Sequence, residues 1–242
     1  MSFTNQSDQA AKKVRASPLS FDDVFEAIEN DNIAQLSTWL DDGSIPNVNM
    51  RSDDNSTLLI IASEFGKIAS VEILLKHGAS INQQNGDDYT AIATACLNGH
   101  LDVAGLLFSS GASLDSQVLL WETCQKGELD AVQFLLDHGV GVKINLEIEH
   151  CGTPLAQACL KRRLDIIKLL IERGADVNFV GRYGALSNPL AAACSRGDLE
   201  IVKYLVSVGA DARIGAPLAA IERNNYALIT YLLDNGADID AR

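Results

Sequence analysis

Leu169-Leu170-Ile171-Glu172-Arg173-Gly174-Ala175-Asp176 decides the fold, because this phrase of leucines followed by Gly, Ala and Asp recurs along the chain. It returns as Leu74-Leu75-Lys76-His77-Gly78-Ala79, Leu106-Leu107-Phe108-Ser109-Ser110-Gly111-Ala112 and Leu135-Leu136-Asp137-His138-Gly139. Further copies are Tyr204-Leu205-Val206-Ser207-Val208-Gly209-Ala210-Asp211 and Leu232-Leu233-Asp234-Asn235-Gly236-Ala237-Asp238. A weaker copy, Trp39-Leu40-Asp41-Asp42-Gly43, comes first. The glycines at 43, 78, 111, 139, 174, 209 and 236 are spaced by 35, 33, 28, 35, 35 and 27 residues. A period near 33 with length changes confined to one segment is a repeat array with variable loops.

Each unit reads as two antiparallel helices. The first starts at Thr57-Leu58-Leu59, Thr90-Ala91-Ile92, Thr153-Pro154-Leu155, Asn188-Pro189-Leu190 or Ala216-Pro217-Leu218. Proline suits a first helical turn, where no partner is lost with its N–H, and Thr or Asn ahead of it caps the orphan donors. Gly66, Gly99, Gly127 and Gly197 mark the turn between helices. The second helix runs to the Gly-Ala-Asp stop, where glycine takes the left-handed conformation that ends a helix.

The pattern resembles the ankyrin repeat family over about residues 20–242, with Thr153-Pro154-Leu155 and Gly174-Ala175-Asp176-Val177-Asn178 close to its consensus. The resemblance implies an all-α solenoid of about seven helix–turn–helix units with projecting β-hairpin-like loops. The expected division is a polar leader over 1–17 and a repeat domain over 18–242. Its units are approximately 18–50, 51–83, 84–116, 117–145, 146–178, 179–213 and 214–242. Two departures stand out. Ile60, Ala93, Ala156, Ala191 and Ala219 replace a histidine that ties neighbouring loops together in the family. Asp31, Arg162 and Asn224 replace the glycine between helices; Asp and Asn tolerate a left-handed backbone, whereas Arg162 predicts local strain or a reshaped turn.

The ends are atypical, as terminal repeats are. Ser20 is positioned as an N-cap with Asp23 three residues on, and Leu19 and Val24 form a staple. Tyr226, Ile229 and Tyr231 leave the last helix partly apolar on its outer face, so either the chain continues or this end meets a partner. Residues 1–17 are polar with Lys12, Lys13 and Arg15 and lack the apolar core of a secretory signal. Their composition reads as a disordered leader, with a translocation signal of another kind as the alternative.

Composition bounds the function. Hydrophobic residues make up 47% and charged residues 21%, which excludes wholesale disorder. A formal charge of −13 argues against nucleic acid, whose phosphates need an excess of Lys and Arg. Residues 1–121 carry 6 basic and 16 acidic side chains, and residues 122–242 carry 13 and 16, so the acidity is concentrated in the first half. No apolar run is long enough for a membrane span. Five cysteines, an odd number, fit reduced thiols in a cytosol better than a disulfide framework.

No catalytic, cofactor-binding or metal site is expected. Cys96, Cys124, Cys159 and Cys194 hold one register position in four successive units, where a small buried residue faces the neighbouring helix. Helices about 8–10 Å apart keep such sulfurs from sharing a zinc at roughly 2.3 Å. Cys151, beside His150 in a loop, is the thiol expected to be exposed. His77 and His138 precede helix-ending glycines, where they favour the last carbonyls. Gly139-Val140-Gly141 lacks the third glycine and the strand–helix setting of a phosphate loop.

The resemblance implies a protein partner bound by the concave face, at loop tips and exposed first-helix positions. The tips are Asp53, Asp54 and Ser56, then Asp87, Asp88 and Tyr89, then Glu149, His150 and Gly152. The helix positions are Glu64 and Phe65, Leu97 and Asn98, Gln125 and Lys126, Leu160 and Lys161, Ser195 and Arg196, and Arg223. Phe65, Leu97 and Leu160 either form an exposed apolar interface or pack against adjacent loops. Acidic tips give way to Lys126, Lys161, Arg163, Arg196 and Arg223, which makes either a dipolar groove for an extended partner segment or a solvated face of scattered charge. A shortened loop at Asp115-Ser116-Gln117 notches the fourth unit, where Trp121 either lines the notch or fills space. The longer loop from Phe179 to Ser187, with Arg182 and Tyr183, is the preferred contacting finger. The expectation is a monomeric, cytoplasmic adaptor, scaffold or inhibitor without cofactor. The alternatives are a microbial effector (secreted) or immunity-type protein, and the targeting domain of a larger enzyme.

Overall fold

The computed structural model describes residues 19–114, 118–139, 143–182, 187–214, 220–221 and 224–238. Thirteen helices lie among them: α1 Phe21–Glu29, α2 Ile33–Asp41, α3 Leu58–Glu64, α4 Ile68–Lys76, α5 Ala91–Leu97, α6 Leu101–Ser109 and α7 Leu119–Lys126. They continue as α8 Leu129–His138, α9 Pro154–Leu160, α10 Leu164–Glu172, α11 Pro189–Arg196, α12 Leu199–Ser207 and α13 Tyr226–Asp234. The chain divides into two compact bodies, Met1–Ala91 and Ile92–Arg242.

In the first body α1 pairs with α2 and α3 with α4, and the pairs stack with α1 on α3 and α2 on α4. In the second, α7–α8, α9–α10 and α11–α12 pair in the same way, while α7, α9 and α11 line up as an inner row. The first helices α3, α5, α9 and α11, of only seven or eight residues, are apolar on nearly every side. All seven residues of α5 are buried, and α9 is enclosed from Pro154 to Cys159. A helix apolar all round is stable only inside a stack. The second helices bury one stripe, as with Ile166, Ile167 and Leu170 on α10, and leave Asp165, Lys168 and Glu172 in solvent.

The caps follow the sequence. Ser20 and Asp23 form a reciprocal capping box, with the Asp23 amide donating to Ser20 Oγ at 3.2 Å and the Ser20 amide to Asp23 Oδ2 at 2.9 Å. Thr57, Thr153 and Asn188 each accept from the amide three residues on, and Pro154 and Pro189 open their helices. The helix-ending glycines at 43, 78, 111, 139, 174, 209 and 236 are all left-handed. Asp31 and Asn224 take the same conformation, and so does Arg162 at φ +59°. The Arg162 turn is therefore strained in backbone but ordinary in shape.

The cysteines at 96, 124, 159 and 194 are buried, and desolvation pushes the Cys96 and Cys194 thiols up to about 12. Burial pushes Cys124 and Cys159 higher still. They are packing residues held in the thiol form. Cys151 is half-buried rather than fully exposed.

Candidate functional site

The projecting loops are narrow turns closed by single antiparallel bridges, Arg51 with Thr57, Gln84 with Thr90 and Ile148 with Gly152. At each tip one residue other than glycine is left-handed: Asn55, Asp88 and His150. Asn, Asp and His bear that conformation better than other side chains. Their neighbours are thereby aimed outward, and Asp53, Asp54, Asp87, Asp88, Glu149 and His150 are all exposed.

In the first body the tips are braced internally and to one another. Asp54 accepts hydrogen bonds from the hydroxyls of Ser52 and Ser56, the latter at 2.6 Å, and these hold its carboxyl below the usual range. The Asp54 carbonyl accepts from the Gly86 amide at 3.0 Å, and a Cβ on residue 86 would come within 2.9 Å of that oxygen. Asn85 Oδ1 accepts from the amides of Asp87 at 3.1 Å and Tyr89 at 2.9 Å, which leaves Tyr89 half-buried. The Arg51 guanidinium reaches across to the Gln84 carbonyl at 2.8 Å and Gln83 Oε1 at 3.1 Å.

Asparagines tie successive loops together. Asn49 Oδ1 accepts from the Ser80 amide at 2.7 Å, Asn145 from Asp176 at 2.8 Å and Asn178 from Asp211 at 2.8 Å. This is the tie whose loss the missing histidines predicted. Its signal was present in Val48-Asn49, Ile144-Asn145 and Val177-Asn178, an apolar residue and Asn at the same register position in the first, fourth and fifth units.

Beside the first tip runs an open groove of about 600 Å³, lined by Phe21, Asp22 and Phe25 of α1, Arg51 to Asp54, and Ile61 and Glu64 of α3. Phe65 is half-buried and meets the edge of Phe25, with ring centroids 5.6 Å apart. It thus packs rather than standing free. Phe21, Asp22 and Phe25 are not among the residues that the sequence marks for partner contact; their spacing on one helical face was the available signal.

In the second body Leu97 is 7% exposed, so it is not an interface residue. The last turn of α5 is enclosed like the rest of that uniformly apolar helix. Leu160 is half-buried. Trp121 is half-buried as well, and its indole N–H donates to the Cys151 carbonyl at 3.3 Å, bracing the next loop. The notch at 115–117 lies outside the described residues. Lys126, Lys161, Arg163 and Arg196 are exposed at the helix turns. Arg163 donates to the Lys126 backbone carbonyl at 3.0 Å, tying its turn to that of the preceding unit.

The longer loop after Phe179 is organised by Glu147, which accepts from the Arg182 amide at 3.2 Å and from the Ser187 hydroxyl. A Cβ on Gly181 would strike that carboxylate, so the close approach requires glycine. Arg182 is exposed, and Val180 is 68% exposed beside it. Tyr183 and Arg223 lie outside the described residues. No helix among the described residues is long and apolar enough to cross a membrane.

The comparisons with known proteins agree with this architecture. A family model for ankyrin repeats in three copies matches residues 24–118, 113–180 and 182–242, and a second, for many copies, matches 155–206. The solved human ASB11 ankyrin repeat domain is similar with a TM-score of 0.75 and 27% identity, over 89% of this chain and 98% of that one. Among curated relatives, the integrin-linked protein kinase homolog pat-4 of Caenorhabditis elegans is 35% identical over 75 residues, 31% of this chain and 16% of its own. The ankyrin repeat and KH domain-containing protein mask-1 of the same organism is 29% identical over 101 residues, 39% of this chain but 4% of its own. The ankyrin repeat protein YahD of Escherichia coli is 29% identical over 142 residues, 56% of this chain and 69% of its own. With the family model covering nearly all the described residues and the helix pairs, left-handed glycines and bridged loops in register, the chain belongs to the ankyrin repeat family, whose members are generally protein-interaction modules.

Proposed function

We propose that the chain is an adaptor, scaffold or inhibitor that recognises a partner protein through its loop tips and exposed first-helix turns. The supporting observation is that the three bridged loops hold charged side chains outward on braced, left-handed turns at Asn55, Asp88 and His150. A stiff turn displaying charge loses little entropy when a partner docks, and its charge selects which partner is steered in. The contact set is Asp53, Asp54, Asp87, Asp88, His150, Lys126, Lys161, Arg182 and Arg196, with Tyr89 and Phe65 as half-buried flanks. The partner is an extended protein segment, and the chain binds it as a monomer in the cytoplasm.

A second reading is the targeting part of a larger enzyme. It is favoured by the match to a kinase homolog of which the aligned stretch forms only 16%.

Affinity capture from the native organism tests the first reading, with the full chain and an Asp53→Lys/Asp87→Lys/Arg182→Glu chain as baits. A partner recovered by the first bait and lost from the second is the expected result. Equal recovery by both would overturn the tip assignment, and no specific recovery by the full chain would overturn binding itself.

A further inference from the structure

The groove beside α1 has a composition that selects its occupant. Phe21 and Phe25 contribute two aromatic side chains to its lining, Ile61 an aliphatic one, and Asp22, Asp53, Asp54 and Glu64 four carboxylates. Arg51 is the one cation in the lining, and its guanidinium is spent on the Asn55 and Gln84 carbonyls and on Gln83 Oε1. The groove is therefore negative and aromatic together. A carboxylate rim alone would be an ordinary solvated surface. The rings beneath it add a demand for apolar stems, and the volume of about 600 Å³ is in the range of clefts that enclose a small ligand.

We infer that this groove binds a basic segment of a partner protein, in which arginine or lysine side chains alternate with apolar ones. The cationic heads meet Asp22, Asp53 and Asp54, while their stems and the apolar residues lie on Phe21 and Phe25. Both contacts reward the same side chain, because an arginine or lysine has an apolar stem and a cationic head that is attracted to ring faces. A neutral apolar peptide would leave the carboxylates desolvated, and an acidic one would be repelled. The inference rests on the reading of the chain as a protein-binding module, but it assigns one site and one ligand chemistry that capture alone would not reveal.

The test is fluorescence anisotropy with the full chain and labelled octapeptides of alternating Arg–Leu, Arg–Phe and Lys–Leu, with Glu–Leu as the acidic counterpart. The expected result is saturable binding of at least one basic peptide and none of Glu–Leu. Asp22→Asn/Asp53→Asn should weaken it about fivefold or more, because close charge pairs set both steering and residence. Phe21→Leu should weaken it while keeping the fold, as read by circular dichroism. Glu72→Gln/Asp130→Asn removes the same charge from exposed sites outside the groove and should leave affinity within about twofold, as expected for screened distant charges.

Absence of saturable binding by every basic peptide would overturn the proposal, and so would equal weakening by the two charge-removing pairs. A chain lacking residues 1–17 that binds the peptides when the full chain does not would assign the groove to Lys12, Lys13 and Arg15 and overturn a partner as its occupant. If the peptides fail while affinity capture still recovers a tip-dependent partner, the protein-binding function stands and this site assignment falls.

Discussion

Arg162 Nε lies 2.6 Å from Asp198 Oδ2, so an arginine held in a left-handed turn is joined to the N-cap of the next repeat's second helix. Asp198 also accepts from the Ile201 amide at 3.3 Å, and one carboxylate thus serves a cap and a bridge between repeats. Glycine at 162 would relieve a backbone cost of about 1–2 kcal/mol. The pair it forfeits is largely exposed on the arginine side and is worth at most about 1 kcal/mol.

Arg162→Gly should consequently be neutral or slightly stabilising, whereas Arg162→Ala keeps the strain and loses the pair. We predict the alanine variant to be about 1 kcal/mol less stable than the glycine variant, since only the alanine must hold the strained backbone. Hydrogen exchange at α10 and α12 amides measures this locally. Equal protection in the two would show that the turn carries no strain.

Burial of Asp198 pushes its carboxyl up, but the hydrogen bond from Arg162, the Ile201 amide and the guanidinium charge outweigh it and hold the group below the usual carboxylate range. A carboxyl lowered in the fold stabilises fully above its unfolded value of about 3.9 and loses that contribution as pH falls through the folded value. Asp198→Asn retains a good cap without the charge. Its stability should fall less than that of the parent as pH drops below about 4. Identical acid profiles would refute the pairing.

His77 behaves oppositely. Its Nδ1 lies 2.9 Å from the Ile73 carbonyl and its Nε2 3.1 Å from Asp41 Oδ1. Only the imidazolium can donate from both nitrogens. The Ile73 carbonyl first, and Asp41 second, raise its pKa above the ordinary value. Stability from this group is present below about 6.5 and is lost as pH rises through the folded value. Proton NMR titration should place the His77 midpoint above that of a free imidazole and return it towards that value in Asp41→Asn. An unshifted midpoint in the parent would contradict the geometry.

Ser70 is fully buried on α4, and its hydroxyl has no hydrogen-bond partner among the described residues. Replacing it by alanine removes an unsatisfied group from the core at little cost in packing. Ser70→Ala should stabilise the first body by about 1 kcal/mol. Denaturant titration reads the change, and destabilisation would mean that the hydroxyl is satisfied.

The repeat, its caps and its left-handed glycines were legible because each is a local requirement: Thr153 before Pro154, or Gly174 after Arg173, carries its reason in the neighbouring residues. The tips at Asp53, Asp54, Asp87, Asp88, Glu149 and His150 came from carrying the family's loop positions over unit by unit, a transfer that also named Ser56 and Gly152, which are buried. What sequence misjudged depended on packing across elements. Leu97 occupies a position whose exposure is set by everything around α5, and Phe65 is covered by Phe25 from forty residues away. The role of Glu147 was equally hidden, because the loop that it fastens begins more than thirty residues later.

The most direct measurement of the central claim is the association rate of the captured partner with the parent and with Asp87→Lys/Asp88→Lys, at low and physiological salt. Recognition through charged tips predicts that the variant associates about tenfold more slowly at low salt and loses most of the parent's salt dependence. Unchanged rates and an unchanged salt slope would contradict it.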